Sequence, residues 1–375
     1  MILEDDADDE AEDEEVLQLL AAVERDRRAV PKTQNYFEEI IPRFSSSEFQ
    51  SHFRMSRATF EQLTRILAPD LQGLHSVVPV AKKLSVALWY FGNQDVYRSI
   101  SDRFDLSKST AWQCVIDVAN SLCARSENFI HWPTGLEFTR LQHEFQQMAG
   151  FPGVIGAIDC CQIPISAPHQ NPDSYINRKG YHSINTQAIC DSKRRFLDVF
   201  TGSCGSVNDA RVFQLSPLRE EIMRNMDQYF PEQTHILGDK IYTVEFYLLP
   251  PYKNFGQLTD RQKHFNLVHA RTRQVIERAF ALLLGRFRRL KHLFLQNIEY
   301  AALIILACCC LHNICISLND EFDVEDIDEN VNAPCDVNVP ENVPEDVPND
   351  AVSGNVQFDP EIKRRIIADA LYGRM

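Results

Sequence analysis

Four carboxylates stand where their surroundings give them little ordinary reason to be. In GVIGAIDCCQIPI (153–165) apolar residues fall on both faces, as in the central strand of a covered sheet, and Asp159 interrupts them. Asp239 follows the apolar run HILGDKIY (235–242), where Gly238 permits a close backbone approach. Glu277 lies in RQVIERAFALLLGRFRRL (273–290), whose Val275, Ile276, Phe280, Leu283, Leu284 and Phe287 have helical spacing. Asp209 opens a helix in GSVNDARVFQLSPL. A lone buried charge costs on the order of several kcal/mol, so each position asks for a compensating partner.

Each acid has a purely structural explanation. Asp209 can complement a helix dipole, Glu277 can pair with Arg273 four residues earlier, and Asp239 can cap a turn. Their order suggests a joint role. A strand bearing Asp159, two strands in SINTQAIC and RFLDVFTG, a helix from Asp209, a strand leading to Asp239 and a later helix bearing Glu277 form the element order of an RNase H-like mixed α/β sheet flanked by helices. In that arrangement the first-strand Asp, the Asp after the fourth strand and the helical Glu converge at one sheet edge. Converging carboxylates repel unless cations lie between them, and hard oxygen donors suit Mg²⁺ or Mn²⁺ rather than Zn²⁺. Two such ions about 3.5–4 Å apart activate a water or a 3′-hydroxyl and stabilise the leaving oxygen in phosphodiester displacement.

The elements before this zone are helical. From about Glu38 to Arg140 the chain has little Gly or Pro and repeated amphipathic spacing. Within LSVALWYFGNQDVYRSISDRFDLSKSTAWQCVIDVANSL (84–122), Leu84, Leu88 and Phe91 form one stripe, and Ile100 and Phe104 belong to a second helix. A break at 105–107 follows, with Ser107 a good N-cap for a helix beginning at Lys108. This matches a helix-turn-helix, with Lys108, Ser109, Thr110 and Gln113 at the exposed N-terminal end where phosphate and base edges are contacted. An ordinary helical hairpin fits the same pattern. Between Arg261 and Lys291 the only acid is Glu277, against nine Lys and Arg that include Arg286, Arg288 and Arg289. Together with Arg178 and Lys179 in the NRKG turn they make a candidate phosphate track, or a solvated face.

The formal charge of −15 argues against nucleic acid only until it is mapped. Residues 1–15 and 318–350 hold 22 of the 53 acids and no base, which leaves 31 acids against 38 Lys and Arg in the body. Such acidic runs read as solvated and disordered segments. The acidic N-terminus lacks the basic region of a signal peptide, and the apolar run AALIILACCCL (301–311) is about half of what spans a bilayer, so it reads as a buried helix and no membrane partner is expected. Eleven cysteines, odd in number and mostly in apolar segments, fit reduced thiols of the nucleus or cytoplasm. Cys308, His312 and Cys315 can share a helix face, but a zinc site needs a fourth ligand, and buried thiols explain them better. Cys160 and Cys161 lack the His pairing of a catalytic cysteine.

Beyond these readings, the chain resembles the PIF/Harbinger family of DDE transposases and their domesticated relatives, the harbinger transposase-derived nucleases. The resemblance runs from EEIIPRFSSSEFQSHFRMSRATFEQL (38–63) to LHNICI (311–316) and is strongest in GAIDCCQIPISAP, NRKGYHSINTQAICD, GSVNDARVFQLSPL, LLPPYKNFGQLTDRQKHFN and ARTRQVIERAFALLLGRFRRLK. It implies a catalytic triad of Asp159, Asp239 and Glu277, with Asp209 as a further metal ligand. It also implies DNA as substrate, a helix-turn-helix domain, and a Myb/SANT-like partner that aids nuclear import and DNA recognition. Where relatives often read GDSGYP or GDSAYP this chain reads GDKIYT, so Lys240 puts a cation beside Asp239 and Thr243 replaces a proline.

The expected organisation is an acidic, largely disordered segment 1–30, a helical helix-turn-helix domain 31–145 and an RNase H-like DDE nuclease domain 146–318. An acidic disordered segment 319–355 and a short C-terminal helix 356–375, starting near Asp359, complete it. The expected function is metal-dependent hydrolysis of DNA phosphodiesters. A domesticated DNA-binding adaptor without turnover and a transposase acting on its own element's ends are the alternatives.

Overall fold

A computed structural model describes residues 31–73, 77–295, 297–322 and 359–373. The expected acidic segment 1–30 and most of the acidic segment 319–355 lie outside the described residues.

The first half is helical, as its spacing indicates. Its longer helices are α1 (Ser46–Phe53), α2 (Arg57–Leu71), α3 (Val80–Gly92), α4 (Tyr97–Arg103), α5 (Lys108–Ala124) and α6 (Leu136–Ala149). Three of them begin at serine caps. Ser45 completes a capping box with Glu48, Ser56 accepts from the Thr59 N–H, and Ser107 accepts from the Thr110 N–H. Helix α5 therefore starts at Lys108, where the sequence places it. Between α4 and α5 Asp105 takes a left-handed conformation (φ 51°) that turns the chain. The helices gather round Trp89, whose ring meets those of Tyr36, His52, Phe53 and Phe104 and lies under the Arg103 guanidinium.

The second half builds a five-stranded mixed sheet: β1 (Val154–Pro164), β2 (Ser183–Cys190), β3 (Phe196–Cys204), β4 (His235–Leu237) and β5 (Leu248–Leu249). Its order is β3-β2-β1-β4-β5. Strand β2 is antiparallel to β1 and β3, whereas β4 runs parallel to β1 and to β5. Helices cover both faces. On one face lie α9 (Asp260–Arg286) and α10 (Glu299–Ser317), with Val275, Ile276 and Ile304 in a core that contains Ala157 and Ile163. On the other lie α6, α7 (Asp209–Leu215) and α8 (Pro217–Arg224), packed on Ile155, Ile158 and Ile189.

Helix α10 carries the apolar run 301–311 and is the expected buried helix. It is apolar enough by length and composition to cross a membrane, but 67% of its most apolar window is buried against protein. It joins the two halves. Cys123 of α5 approaches the Leu303 carbonyl at 3.4 Å, and Trp112 meets Tyr300 edge-to-face. Asn313 donates to the carbonyls of Phe129 and Phe196 while its oxygen accepts the Phe196 N–H. One apolar cluster accordingly runs from Tyr36 and Trp89 through α10 to the sheet. A last helix, α11 (Pro360–Tyr372), starts after the capping Asp359 and packs on α9.

Candidate active site

Strand register brings the first two acids together. Ala157 of β1 is aligned with Leu237 of the parallel β4. Two residues beyond each stand Asp159, midway along β1, and Asp239, just past the end of β4, so the two acids come from neighbouring parallel elements at matching positions. Gly238 makes the approach possible, since a Cβ there would meet Tyr242 Cδ2 at 2.8 Å, Leu248 Cδ1 at 2.9 Å and Ile158 Cγ2 at 3.2 Å. Asp239 then turns the chain, accepting the Lys240 N–H at 2.6 Å on its own Oδ1. The Lys240 residue itself is exposed.

Asp209 is the first residue of α7, behind the capping Asn208, and Asn185 of β2 donates Nδ2 to its Oδ1 at 3.0 Å. Glu277 projects from α9, half exposed. Arg273, one turn earlier, connects it to the sheet: Nη1 donates to Asp159 Oδ2 at 2.8 Å and Nη2 to Glu277 Oε1 at 2.6 Å. The Arg273–Glu277 pair foreseen as a structural explanation is therefore present, and the same guanidinium also reaches Asp159.

The electrostatics reflect this crowding. Burial pushes Asp159 up to about 6; Arg273 and the Cys160 N–H pull it down, while Asp209 and Asp239 raise it further. Burial disfavours the Arg273 charge, yet Asp159, Glu277 and Asp239 together hold it above its ordinary value. Cys160 lies with its Sγ 3.8 Å from Tyr242 Oη, and burial with nearby Asp209 and Asp159 keeps it a thiol. An all-oxygen acidic donor set under mutual repulsion is the chemistry that a hard divalent cation answers. As the side chains stand, no three Asp, Glu, His or Cys groups among the described residues are placed to ligate one ion, and a guanidinium lies among the acids.

A family profile for the DDE superfamily endonucleases matches residues 158–313, a span that holds all four acids. "Putative nuclease HARBI1" of Rattus norvegicus is 34% identical over 274 residues, 72% of each chain. The chain belongs to the DDE nucleases derived from Harbinger transposases. The Homo sapiens protein of the same name is 32% identical over the same share of both chains. "Protein ALP1-like" of Arabidopsis thaliana is 28% identical over 294 residues, 73% of this chain and 71% of its own. No solved structure gives a significant match. The five-stranded mixed sheet is consistent with the DDE endonuclease fold, and that superfamily generally uses divalent metals.

The basic residues of this Harbinger-family chain divide sharply. Lys108, Ser109 and Gln113 are exposed at the start of α5 and Thr110 is half-buried, its hydroxyl within 2.8 Å of Ser107 Oγ. Gln113 donates to Asp117 at 2.6 Å. Arg178 and Lys179 are exposed on a turn shaped by Asn177, whose Oδ1 accepts the Lys179 N–H. Arg288 is half-buried. Two expected track residues have to be corrected. Arg286 is buried and donates to the carbonyls of Arg54 (2.8 Å) and Asp320 (2.6 Å). Arg289 is 2% exposed, lies 4.1 Å over the Tyr90 ring and donates to the carbonyls of Tyr90 and Asp95. Neither guanidinium is available to a phosphate, because both are buried and committed to backbone carbonyls. His312 is likewise engaged, with its Nε2 2.8 Å from the Arg194 carbonyl and its ring against Phe196.

Asn185 and the second arm of Arg273 were not singled out from sequence. Asn185 sits among Ser183, Thr186 and Gln187, an unusual run of polar residues on a fully buried strand, which is a signal that could have found it.

Proposed function

We propose that this chain hydrolyses DNA phosphodiester bonds, with Mg²⁺ or Mn²⁺ held by Asp159, Asp209, Asp239 and Glu277. The observation that supports this most is the matching placement of Asp159 and Asp239 on neighbouring parallel elements, with Glu277 tied to Asp159 through one guanidinium. The three aspartates share a further property. The Cys160 N–H, the Asn185 amide and the Lys240 N–H each fix one carboxylate oxygen, which orients the other. Bound divalent cations supply the charge that acidifies an attacking water and stabilises the leaving 3′-oxygen. The chain orients the acids, keeps Asp159 largely out of water and offers positive charge to the DNA backbone. The exposed N-terminal turn of α5, read as the recognition helix of a helix-turn-helix, contacts DNA through Lys108, Ser109, Thr110 and Gln113. Arg178, Lys179 and Arg288 add phosphate contacts. A Myb/SANT-like partner assists in the nucleus, and the chain is also cytoplasmic. The nuclease name carried by the HARBI1 relatives supports the reading.

The test is nicking or cleavage of DNA by the purified chain with Mg²⁺ or Mn²⁺, with and without the candidate partner. Asp159→Ala and Glu277→Ala should abolish it, and equal cleavage by all three proteins overturns the proposal. A second reading, a DNA-binding adaptor without turnover, is favoured by the Arg273 bridge, which balances the acids without a metal. It requires salt-sensitive DNA binding that Asp159→Ala leaves unchanged.

A further inference from the structure

We infer that Arg273 is the built-in counter-ion of this site: its guanidinium takes the place between Asp159 and Glu277 that a divalent cation needs, and cation loading requires it to swing away. The inference rests on the metal-dependent reading above. Three observations carry it. First, the guanidinium spends one arm on each acid, at 2.8 and 2.6 Å, so it couples a strand residue to a helix residue 118 positions later. Charge-assisted bonds of this kind are among the strongest that side chains make. Second, no three acids among the described residues stand close enough together to share one ion while Arg273 is in place. Third, the bridge is graded in exposure. The side chains of Arg273 and Asp159 are each 19% exposed, whereas that of Glu277 is 51% exposed. The head is therefore anchored at its inner end and open at its outer end, and its long stem lets it move to the rim without leaving the helix. At the rim a substrate phosphate offers both arms of the guanidinium an oxygen in place of the two carboxylates it gives up. Arg273 is thus a positioning residue: it keeps the acids assembled and charge-balanced before loading and gives way to the ion.

The experiment uses the full chain and Mn²⁺ as the probe. Mn²⁺ is titrated by calorimetry into the wild type, Arg273→Gln and Arg273→Lys, and thermal unfolding is followed with and without it. Removing the competing positive charge should tighten Mn²⁺ binding roughly tenfold or more, the size of effect that an adjacent charge has on a carboxylate. The apo melting temperature of Arg273→Gln should fall below that of the wild type, and saturating Mn²⁺ should close the gap. Arg273→Lys keeps the charge but not the fork, so it should fall between the two. If Arg273→Gln does not fold without metal, the Arg273→Lys titration decides. Equal or weaker Mn²⁺ binding in a folded variant, with binding by the wild type intact, overturns the counter-ion role and leaves the metal reading standing. No Mn²⁺ binding to any of the three proteins overturns the metal reading, and this inference falls with it.

Discussion

Asn185 donates from Nδ2 to Oδ1 of Asp209 at 3.0 Å and to the Val207 carbonyl at 2.9 Å, so one buried amide fixes both the start of α7 and the direction of its first carboxylate. Outer groups that orient a metal ligand are typically worth tenfold to a hundredfold in affinity or activity. Asn185→Ala should therefore weaken Mn²⁺ binding and DNA cleavage by roughly tenfold or more. Calorimetry beside a cleavage assay checks this; unchanged affinity in a folded protein would show Asp209 to be placed by its helix alone.

Gly238→Ala tests the close approach beside Asp239. Its Cβ would press on Leu248, Tyr242 and Ile158, all buried and none at the end of a flexible polar chain. Overpacking of this sort costs about 1–3 kcal/mol. A lowered melting temperature is expected, together with a loss of cleavage larger than Ala substitutions elsewhere on the surface produce. Wild-type activity at reduced stability would separate the strand packing from the site.

The basic residues give a crossed prediction. Arg289→Met orphans two backbone carbonyls and removes the cation over Tyr90, which should destabilise the fold by on the order of 3 kcal/mol. Lys108→Ala and Arg178→Ala should change stability by less than about 0.5 kcal/mol. Each should instead weaken DNA binding and reduce the slope of log affinity against log salt by about 1. Chemical denaturation and salt-dependent binding measurements on the three variants check both halves.

Much of this arrangement can be read before folding, and the rest has a definite reason for being hidden. Asp159 within an apolar strand, Ser107 before α5, Asp359 before α11 and Glu277 on a helical stripe are local patterns, and the structure places those elements accordingly. The track of arginines after Glu277 misleads because its letters look alike. Arg286 and Arg289 differ from an exposed basic residue only through carbonyls 232 and 199 positions away. Arg273 is visible as the i−4 partner of Glu277, but its bond to Asp159 spans 114 positions. The link from Asn185 to Asp209 is hidden in the same way. Short-range periodicity reports which face is buried; it carries no information about which distant oxygen a long side chain will find.

Alkaline pH should reveal the anchor of α11. Lys363 donates to the carbonyls of Gln233, Thr234 and Phe246, and burial lowers its pKa from 10.5 to about 8. Below about 8 both folded and unfolded chains hold the proton. Between about 8 and 10.5 only the unfolded chain holds it, so this group makes stability rise with pH across that window. Buried thiols such as Cys315, raised by burial to about 12, act in the opposite direction. The difference between the wild type and Lys363→Met isolates the lysine, and it should grow from pH 8 to 10.5 in denaturant melts. A flat difference would mean that the amine is not titrating in the fold.

Helix α10 sets how the chain can be divided. Because Asn313 holds Phe129 on one side and Phe196 on the other, and Tyr300 meets Trp112, a fragment beginning at residue 146 would uncover the α5-facing surface of its longest apolar helix. The helical and acid-bearing halves should then melt in a single transition, and neither should be expressible as a soluble piece without the other. For this chain the smallest heritable unit is the pair, so a rearrangement that exchanged α5 between relatives would have to carry α10 with it.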